Sequence, residues 1–371
     1  MSEPPSSRRV KPVVAGVTDV GRQRKHNEDH VLLKTDLGLF VVADGMGGHN
    51  AGDVASKLTT TSLGNFFEAT RNGGPPPELP EEYAKLPPAA KRLAAGIRKA
   101  NHDVFVISNT YQQHHGMGST VVAVHMAGDG MMHIGHVGDS RCYRIRDGEI
   151  EQLTRDHSLI NDALEMKPDL APEEIARLPK NIITRALGMK DAVKVDIRSV
   201  ELLEGDVFLL CSDGLSGMVS DHEMLEVVSL TDDPQEACEL LIAEANDGGG
   251  TDNISALIVR IADGHAAEGD DLSPDLEVSM EEEPLSGSLL AEEEEALALE
   301  DGASSVEESE PGTKSELAEI LGSASDPPLD LRGPWSNKPY PVARCAKCQF
   351  ELFPGNRFCV ECGAPVAHAE A

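Results

Sequence analysis

STVVAVHMAGDGMMHIGHVGDSRCYRIRDGEIEQL, residues 119–153, decides the fold. Two Asp-Gly pairs, Asp129-Gly130 and Asp147-Gly148, sit between β-rich runs. Such a pair suits the tight turn of a hairpin, whose central residues need positive φ. The stretch therefore reads as an antiparallel meander.

Working outward, the same grammar recurs. Upstream, VVAGVTD (13–19), HVLLK (30–34) and LGLFVVA (37–43) are rich in β-branched and apolar residues. Val54, Ala55, Leu58, Ser62 and Phe66 then recur at helical spacing, with Asn50 as the expected N-cap and Asp53 in the first turn. NGGPPPELP (72–80) is a loop by its Gly and Pro content. A second helix carries Leu93, Ile97, Ala100, Val104 and Ile107 as one stripe. Downstream, residues 155–190 lose this regularity and read as irregular or helical. Strands return at VKVDIRSV (193–200) and DVFLLCS (206–212), helices at 221–230 and 234–246, and a last strand at NISALIVRI (253–261). Asp233-Pro234 is a cap followed by a first-turn proline. Hairpins dominate and no regular βαβ alternation appears. The expected class is α+β: two packed antiparallel sheets flanked by helix pairs, an αββα sandwich over residues 12–262.

Composition narrows the function. The chain has 371 residues and a formal charge of −32, which argues against a phosphate-backbone partner. No run reaches the ~18 apolar residues of a membrane span, and MSEPPSSRRVKP has no apolar core for a secretory signal. A cytoplasmic protein is expected. Between residues 264 and 334 there are 21 Asp+Glu against Lys314 and Arg332, a local charge of −19. Few apolar groups offset chain entropy there, so residues 263–340 read as a disordered acidic linker, and residues 1–11 as a flexible tail. SLLAEEEEALALE and SELAEILG within the linker could form transient helices. Cys142, Cys211 and Cys238 lie in apolar contexts and read as small core residues.

Five acids share one setting, the end of a strand, and three of them stand beside Gly or Ser. The five are Asp29 in RKHNEDH, Asp44 in FVVADGMGGHN, Asp139 in HVGDSR, Asp213 in LLCSDGLSG and Asp252 in GGGTDNIS. One Asp-Gly alone is usually a turn, and Asp129 and Asp147 read as that. If the ends of several strands converge, however, the gathered carboxylates repel each other unless cations lie between them. Oxygen ligands favour magnesium or manganese. Glycines beside the acids let backbone approach closely and leave a carbonyl free to bind metal.

TDVGRQRKHNED, VVADGMGGH, GMGSTVVAV, IGHVGDSRCYRI, LTRDHS, ITRALG, LLCSDGL and GGTDNIS occur here in the order found in the 2C-type metal-dependent protein serine/threonine phosphatases. Residues 12–262 resemble the bacterial branch of that family. The resemblance implies that Asp44 bridges two Mn²⁺ or Mg²⁺ ions, that the Gly45 carbonyl ligates one, and that Asp213 and Asp252 hold one side of the pair. It places Asp29 and Glu28 in the same shell, Glu28 through water. Asp139, with Asp213, matches a third, weaker ion site. Arg24 matches the arginine that binds substrate phosphate, for which a guanidinium fork is suited. The implied reaction is direct attack on phosphorus by a water shared between two ions, with no phosphoenzyme. Some relatives carry a histidine after the Asp-Gly; here Met46 takes the place and cannot donate a proton, and His49 lies three residues on. Residues 155–185 occupy the position of the family's flap.

Near the end of the chain, CAKCQFELFPGNRFCVECG places Cys345, Cys348, Cys359 and Cys362 as two Cys-x2-Cys pairs. That spacing predicts a tetrahedral structural zinc site, a zinc ribbon over residues 341–366. Phe350, Phe353 and Phe358 offer it a small core, and metal binding would supply its folding energy. Its expected use is a protein partner; only Arg344, Lys347 and Arg357 accompany it, too few for nucleic acid. The expected substrates are phosphorylated proteins, those of a serine/threonine kinase. Two other readings share features of the sequence: a catalytically silent phosphoprotein-binding adaptor, and a metal-dependent hydrolase of small phosphoesters.

Overall fold

A computed structural model describes residues 10–47, 51–73, 78–175, 177–179 and 182–263, together with strand segments 343–344 and 351–352. Of the tail expected over 1–11, only Val10 and Lys11 are described, and they begin a strand; the acidic linker, the four zinc-ribbon cysteines, Asn50 and His49 lie outside the described residues.

The meander forms as its turns dictate. β4 (Gly118–Ser119), β5 (Val121–Met126), β6 (Met131–Val137), β7 (Arg141–Arg146) and β8 (Glu149–Gln152) follow in order. β5 pairs with β6 and β7 with β8, all antiparallel. The β7–β8 turn has Asp147 at φ 53 and Gly148 at φ 78, the doubly positive pair that fits the right-handed twist of a hairpin. The meander does not stay in one sheet. Between β6 and β7, at Gly138–Ser140, the chain passes from one sheet to the other.

The first strands are β1 (Val10–Asp19), β2 (Asp29–Lys34) and β3 (Leu39–Met46); β9 (Asp196–Glu201), β10 (Val207–Cys211) and β11 (Ile254–Asp263) come later. One sheet has the order β1-β11-β10-β7-β8, the other β2-β3-β5-β6-β9, with β4 paired to the end of β3. Every pairing is antiparallel, as the hairpin signals predict.

Alternation along the central strands assigns each face. Phe40, Val42, Val122, Val124, Phe208, Leu210, Leu257 and Val259 fill the space between the sheets. The intervening Leu39 and Val41 face outward, where Leu63, Phe67, Leu93 and Ile97 cover them. These come from α1 (Ala51–Ala69) and α2 (Pro88–Thr110). On the other sheet, Leu209, Cys211 and Ile258 meet Met224, Val228, Leu241 and Ala245. Their helices are α6 (Asp221–Leu230) and α7 (Pro234–Asp247), which follow α3 (Leu159–Met166), the one-turn α4 (Pro172–Ile175) and the one-turn α5 (Asp213–Ser216). The layers are therefore helix, sheet, sheet, helix. Strands buried on both faces explain why LFVVA and VFLLC read as continuous apolar runs.

Helix ends follow their local chemistry. Ser220 caps α6 with a full capping box to Glu223, and Asp233 caps α7 ahead of Pro234. Residues 155–190 contain α3 and α4, the two ends of the segment being joined by a Ser158–Ile183 bridge. Segments 343–344 and 351–352 form an antiparallel pair, β12 and β13, with Ala343 opposite Leu352.

Candidate metal and phosphate site

Topology brings the five acids to one end of the sandwich. Asp29 opens β2 and Asp44 lies near the end of β3, and the two are direct cross-strand partners. Asp213 follows β10 and Asp252 precedes β11, and those strands are antiparallel neighbours, so both acids leave the second sheet at the same end. Asp139 sits in the crossing between the sheets.

The backbone around Asp44 is fixed on both sides. Asp44 N donates to Thr120 Oγ1 at 3.1 Å, and its carbonyl accepts from Thr120 N at 2.8 Å and Ser119 Oγ at 3.0 Å. Gly45 N donates to Glu28 O at 3.0 Å. A Cβ on Gly45 would fall onto the Gly52 carbonyl, so only glycine lets the start of α1 lie against the strand. A Cβ on Gly52 would in turn meet the Glu28 carboxylate 2.5 Å away.

Asp29 is buried, and its Oδ2 accepts from Ser212 Oγ and Ser255 Oγ, each at 2.7 Å. Burial nonetheless pushes its carboxyl up to about 7, against those two hydroxyls and with the help of Asp213 and Asp252. Asp139 is raised to about 7, by burial first and by Asp213 next. Asp44 is held well above the usual carboxylate range by loss of hydration and by Asp29, Asp213, Asp139 and Asp252. Asp213 is raised by burial and by Asp252, while contact with the Asp44 carboxyl and the charge of Arg24 oppose the rise. Glu28 is raised by burial, opposed by the Gly52 N–H and Arg24. The acids thus form one electrostatic unit.

Positive charge near this unit falls short of its negative charge. Arg24 Nη2 binds Asp252 Oδ2 at 2.7 Å, an ion pair open to solvent. One oxygen each of Asp139 and Asp213 is buried with no hydrogen-bond donor among the described residues. Buried carboxylate oxygens without donors are what a cation would satisfy. No three of the cluster acids bring oxygens within 4.8 Å of one another among the described residues. That spread suits more than one ion, with carbonyl and water ligands between the acids. The donor set is all oxygen, so the residues present fit Mn²⁺ or Mg²⁺.

The loop that carries Arg24 is held by a residue the sequence reading passed over. Asn253 Oδ1 accepts from Glu28 N at 2.8 Å, and its Nδ2 donates to Val20 O and His26 O at 2.9 Å each. Arg22 N also donates to Gly250 O at 2.8 Å. Ser212, Ser255, Thr120 and Gly52 were likewise not singled out. Ser212, Ser255, Thr120 and Asn253 all lie inside the quoted motifs, each within three residues of an acid or a glycine, which is the signal that could have found them. Met46, where some relatives have a histidine, ends β3 opposite Gly118.

Residues 21–242 match the family model for protein phosphatase 2C. The chain belongs to the protein phosphatase 2C family. It is 37% identical over 247 residues to the serine/threonine phosphatase stp of Listeria monocytogenes, covering 66% of this chain and 93% of that protein. The crystal structure of the Mycobacterium tuberculosis serine/threonine phosphatase PstP/Ppp superposes with a TM-score of 0.58 at 33% identity, over 68% of this chain and 99% of that one. The catalytic domain of PstP in complex with two manganese ions matches with a TM-score of 0.57 at 32% identity, over 69% of this chain and 100% of that chain. The family model stops short of β1 and β11, yet those strands pair with each other along ten residues, from Val10–Asp263 to Asp19–Ile254. Among the described residues no helix is long and apolar enough to cross a membrane.

Proposed function

We propose that this chain removes phosphate from phosphoserine and phosphothreonine in proteins, using the acid cluster to hold two divalent ions and Arg24 to bind the phosphoryl group. The enzyme class itself follows from the family: the chain is a metal-dependent protein serine/threonine phosphatase. The observation that carries the site assignment is the convergence of Asp29, Asp44, Asp139, Asp213 and Asp252 with two buried carboxylate oxygens lacking donors.

When bound, the ions supply an acidified water nucleophile and positive charge opposite the phosphoryl oxygens. Asp44 would hold both ions, the Gly45 carbonyl would ligate one, and Asp213 and Asp252 would hold one side. Asp29 supports the shell from beneath, its Oδ2 already occupied by two serine hydroxyls. Glu28 would act through water while its carboxylate faces the start of α1. Asp139 with Asp213 would hold a third, weaker ion. Arg24, released from Asp252, offers two parallel N–H groups to phosphate oxygens. Cys211 plays no nucleophilic part, because burial pushes its thiol up to about 12.

The domain limits belong to the same reading: a phosphatase domain over 12–262, an acidic linker over 263–340 and a zinc ribbon over 341–366 held by Cys345, Cys348, Cys359 and Cys362. The β12–β13 pair brackets the first Cys-x2-Cys, as a knuckle between two strands requires. The ribbon's use would be a protein partner.

The test is turnover of a phosphoserine or phosphothreonine peptide with Mn²⁺ and then with chelator. Asp213→Ala should lower kcat by more than the roughly 10–100-fold typical of outer-shell changes at metal sites. Turnover indifferent to chelator and to Asp213→Ala would reject the assignment, and faster turnover of a small phosphoester in direct competition would move it to another substrate class.

A further inference from the structure

His136, His157 and Asp196, none of them an acid of the cluster, bring one potential ligand atom each within 4.8 Å of one another. An ion there would meet an occupant. Arg185 Nη1 lies 2.7 Å from His157 Nε2 and 2.8 Å from Asp196 Oδ1, so a guanidinium already provides the positive charge. The His136 ring stacks on His157 with centroids 4.8 Å apart, and its Nε2 donates to Arg155 O at 2.8 Å. With Nδ1 accepting, Nε2 carries the proton and faces Asp196 Oδ2 at 3.3 Å; that contact and the stacked His136 ring hold His157 in one orientation, at 5% exposure.

What His157 holds is a turn. Gly138 N donates to His157 Nδ1 at 3.0 Å, and His157 N donates to Gly138 O at 2.9 Å. One residue therefore takes both polar groups of the residue immediately before Asp139. Gly138 has φ +108, and a Cβ there would crowd Thr120 Cβ at 2.6 Å. Thr120 Oγ1 meets Ser140 Oγ at 2.7 Å and accepts from Asp44 N, so Asp139 is flanked by fixed backbone on both sides. On its other side, His157 O accepts from Thr184 N at 2.9 Å, next to the Ser158–Ile183 bridge. His157 thus ties Thr184 to Gly138 and clamps the turn that carries Asp139.

We propose that His157 is a positioning residue for Asp139: by holding the Gly138 turn it aims this carboxylate at the acid cluster. The proposal rests on the reading of Asp139 as a ligand of the weaker ion site. It does not place His157 in contact with phosphate or with an ion. Loss of the Nδ1 acceptor leaves the Gly138 N–H buried without a partner, and the turn must shift to find one. An asparagine places a carbonyl oxygen near the position of Nδ1 and can replace that acceptor.

The experiment is calorimetric titration of the metal-free full chain with Mn²⁺, for wild type, His157→Ala, His157→Asn, Asp139→Asn and the His157→Ala/Asp139→Asn double variant. Melting temperature is recorded for each. The expected result is that His157→Ala weakens the lowest-affinity Mn²⁺ site by about 10-fold or more. The tighter sites should stay within about threefold, and His157→Asn should recover most of the loss. In the Asp139→Asn background the same change should add nothing, because the carboxylate it positions is gone. Equal weakening at all sites, an equal effect with and without Asp139, or a lower melting temperature with unchanged Mn²⁺ affinities would overturn the positioning role. If His157→Ala does not fold, His157→Phe, which keeps a ring of similar size but has no acceptor, replaces it in the same comparisons, alone and with Asp139→Asn. Failure of the wild type to bind Mn²⁺ at all would instead reject the metal-site reading beneath it.

Discussion

Asp29 shows at the scale of one residue how the site is built against its own electrostatics. Two hydroxyls on Oδ2 do not offset burial beside other acids, and the carboxyl sits near 7. Its folded value is therefore raised above the unfolded one of about 4. The sign follows: in the metal-free protein the native state keeps protons that the unfolded chain releases, so stability is full below about pH 4 and is lost as pH rises through 7. Asp139, also raised to about 7, adds in the same direction. Melting temperature of the metal-free chain should fall between pH 5 and pH 8, by roughly 5–10 °C for a loss of a few kcal/mol. Mn²⁺ should abolish that fall, since bound ions favour the ionised acids. Ser212→Ala removes one donor from a buried carboxylate and should cost about 1–3 kcal/mol of stability, read by denaturant melts, and roughly 10–100-fold in Mn²⁺ affinity. Arg24→Ala should lower kcat about 10²–10³-fold with little change in melting temperature, since its ion pair is solvent-exposed. The acids were legible because each stands in a recognisable strand-end setting. Asn253, Ser212 and Ser255 were not, because their partners lie about two hundred residues away in sequence and only strand pairing brings them together.

Elements divide into those whose pattern is local and those whose cause is tertiary. The β5–β6 and β7–β8 hairpins, the stripe of α2 and the cap of α7 follow from neighbouring residues, and the sequence reading placed them; the capping box of α6 is equally local but was passed over. The two-residue β4 has no periodicity to detect; it exists because Gly118 and Ser119 pair with Met46 and Gly45. Residues 155–190 were equally opaque, since their order comes from His157, Arg141–Asp156 and Arg185–Asp196 contacts rather than from an apolar face. The double-sheet core sets a stability scale. Phe208 is fully buried between the sheets, and Phe208→Ala should cost about 3–5 kcal/mol. Leu230 is 75% exposed, and Leu230→Ala should stay within about 0.5 kcal/mol. Urea unfolding of both variants checks this contrast, and near-equal effects would contradict the layer assignment.

Over the whole chain, charge and chemistry are segregated. Asp29, Asp44, Asp139, Asp213 and Asp252 converge within one electrostatic unit, while 264–334 carries a formal charge of −19 in a stretch with few apolar groups. A chain ending at residue 263 should keep turnover of a short phosphopeptide within about threefold of the full chain, because every residue assigned to the site precedes that point. The same cut should remove the tightly bound zinc, one ion per full chain by elemental analysis, that the four cysteines predict. The central claim concerns the acid cluster, and titration of the metal-free chain with Mn²⁺ tests it most directly, in wild type and Asp44→Asn. Wild type should bind at least two ions, gain melting temperature and acquire phosphatase turnover together, while Asp44→Asn loses all three. Tight Mn²⁺ binding and full turnover in Asp44→Asn would contradict the account.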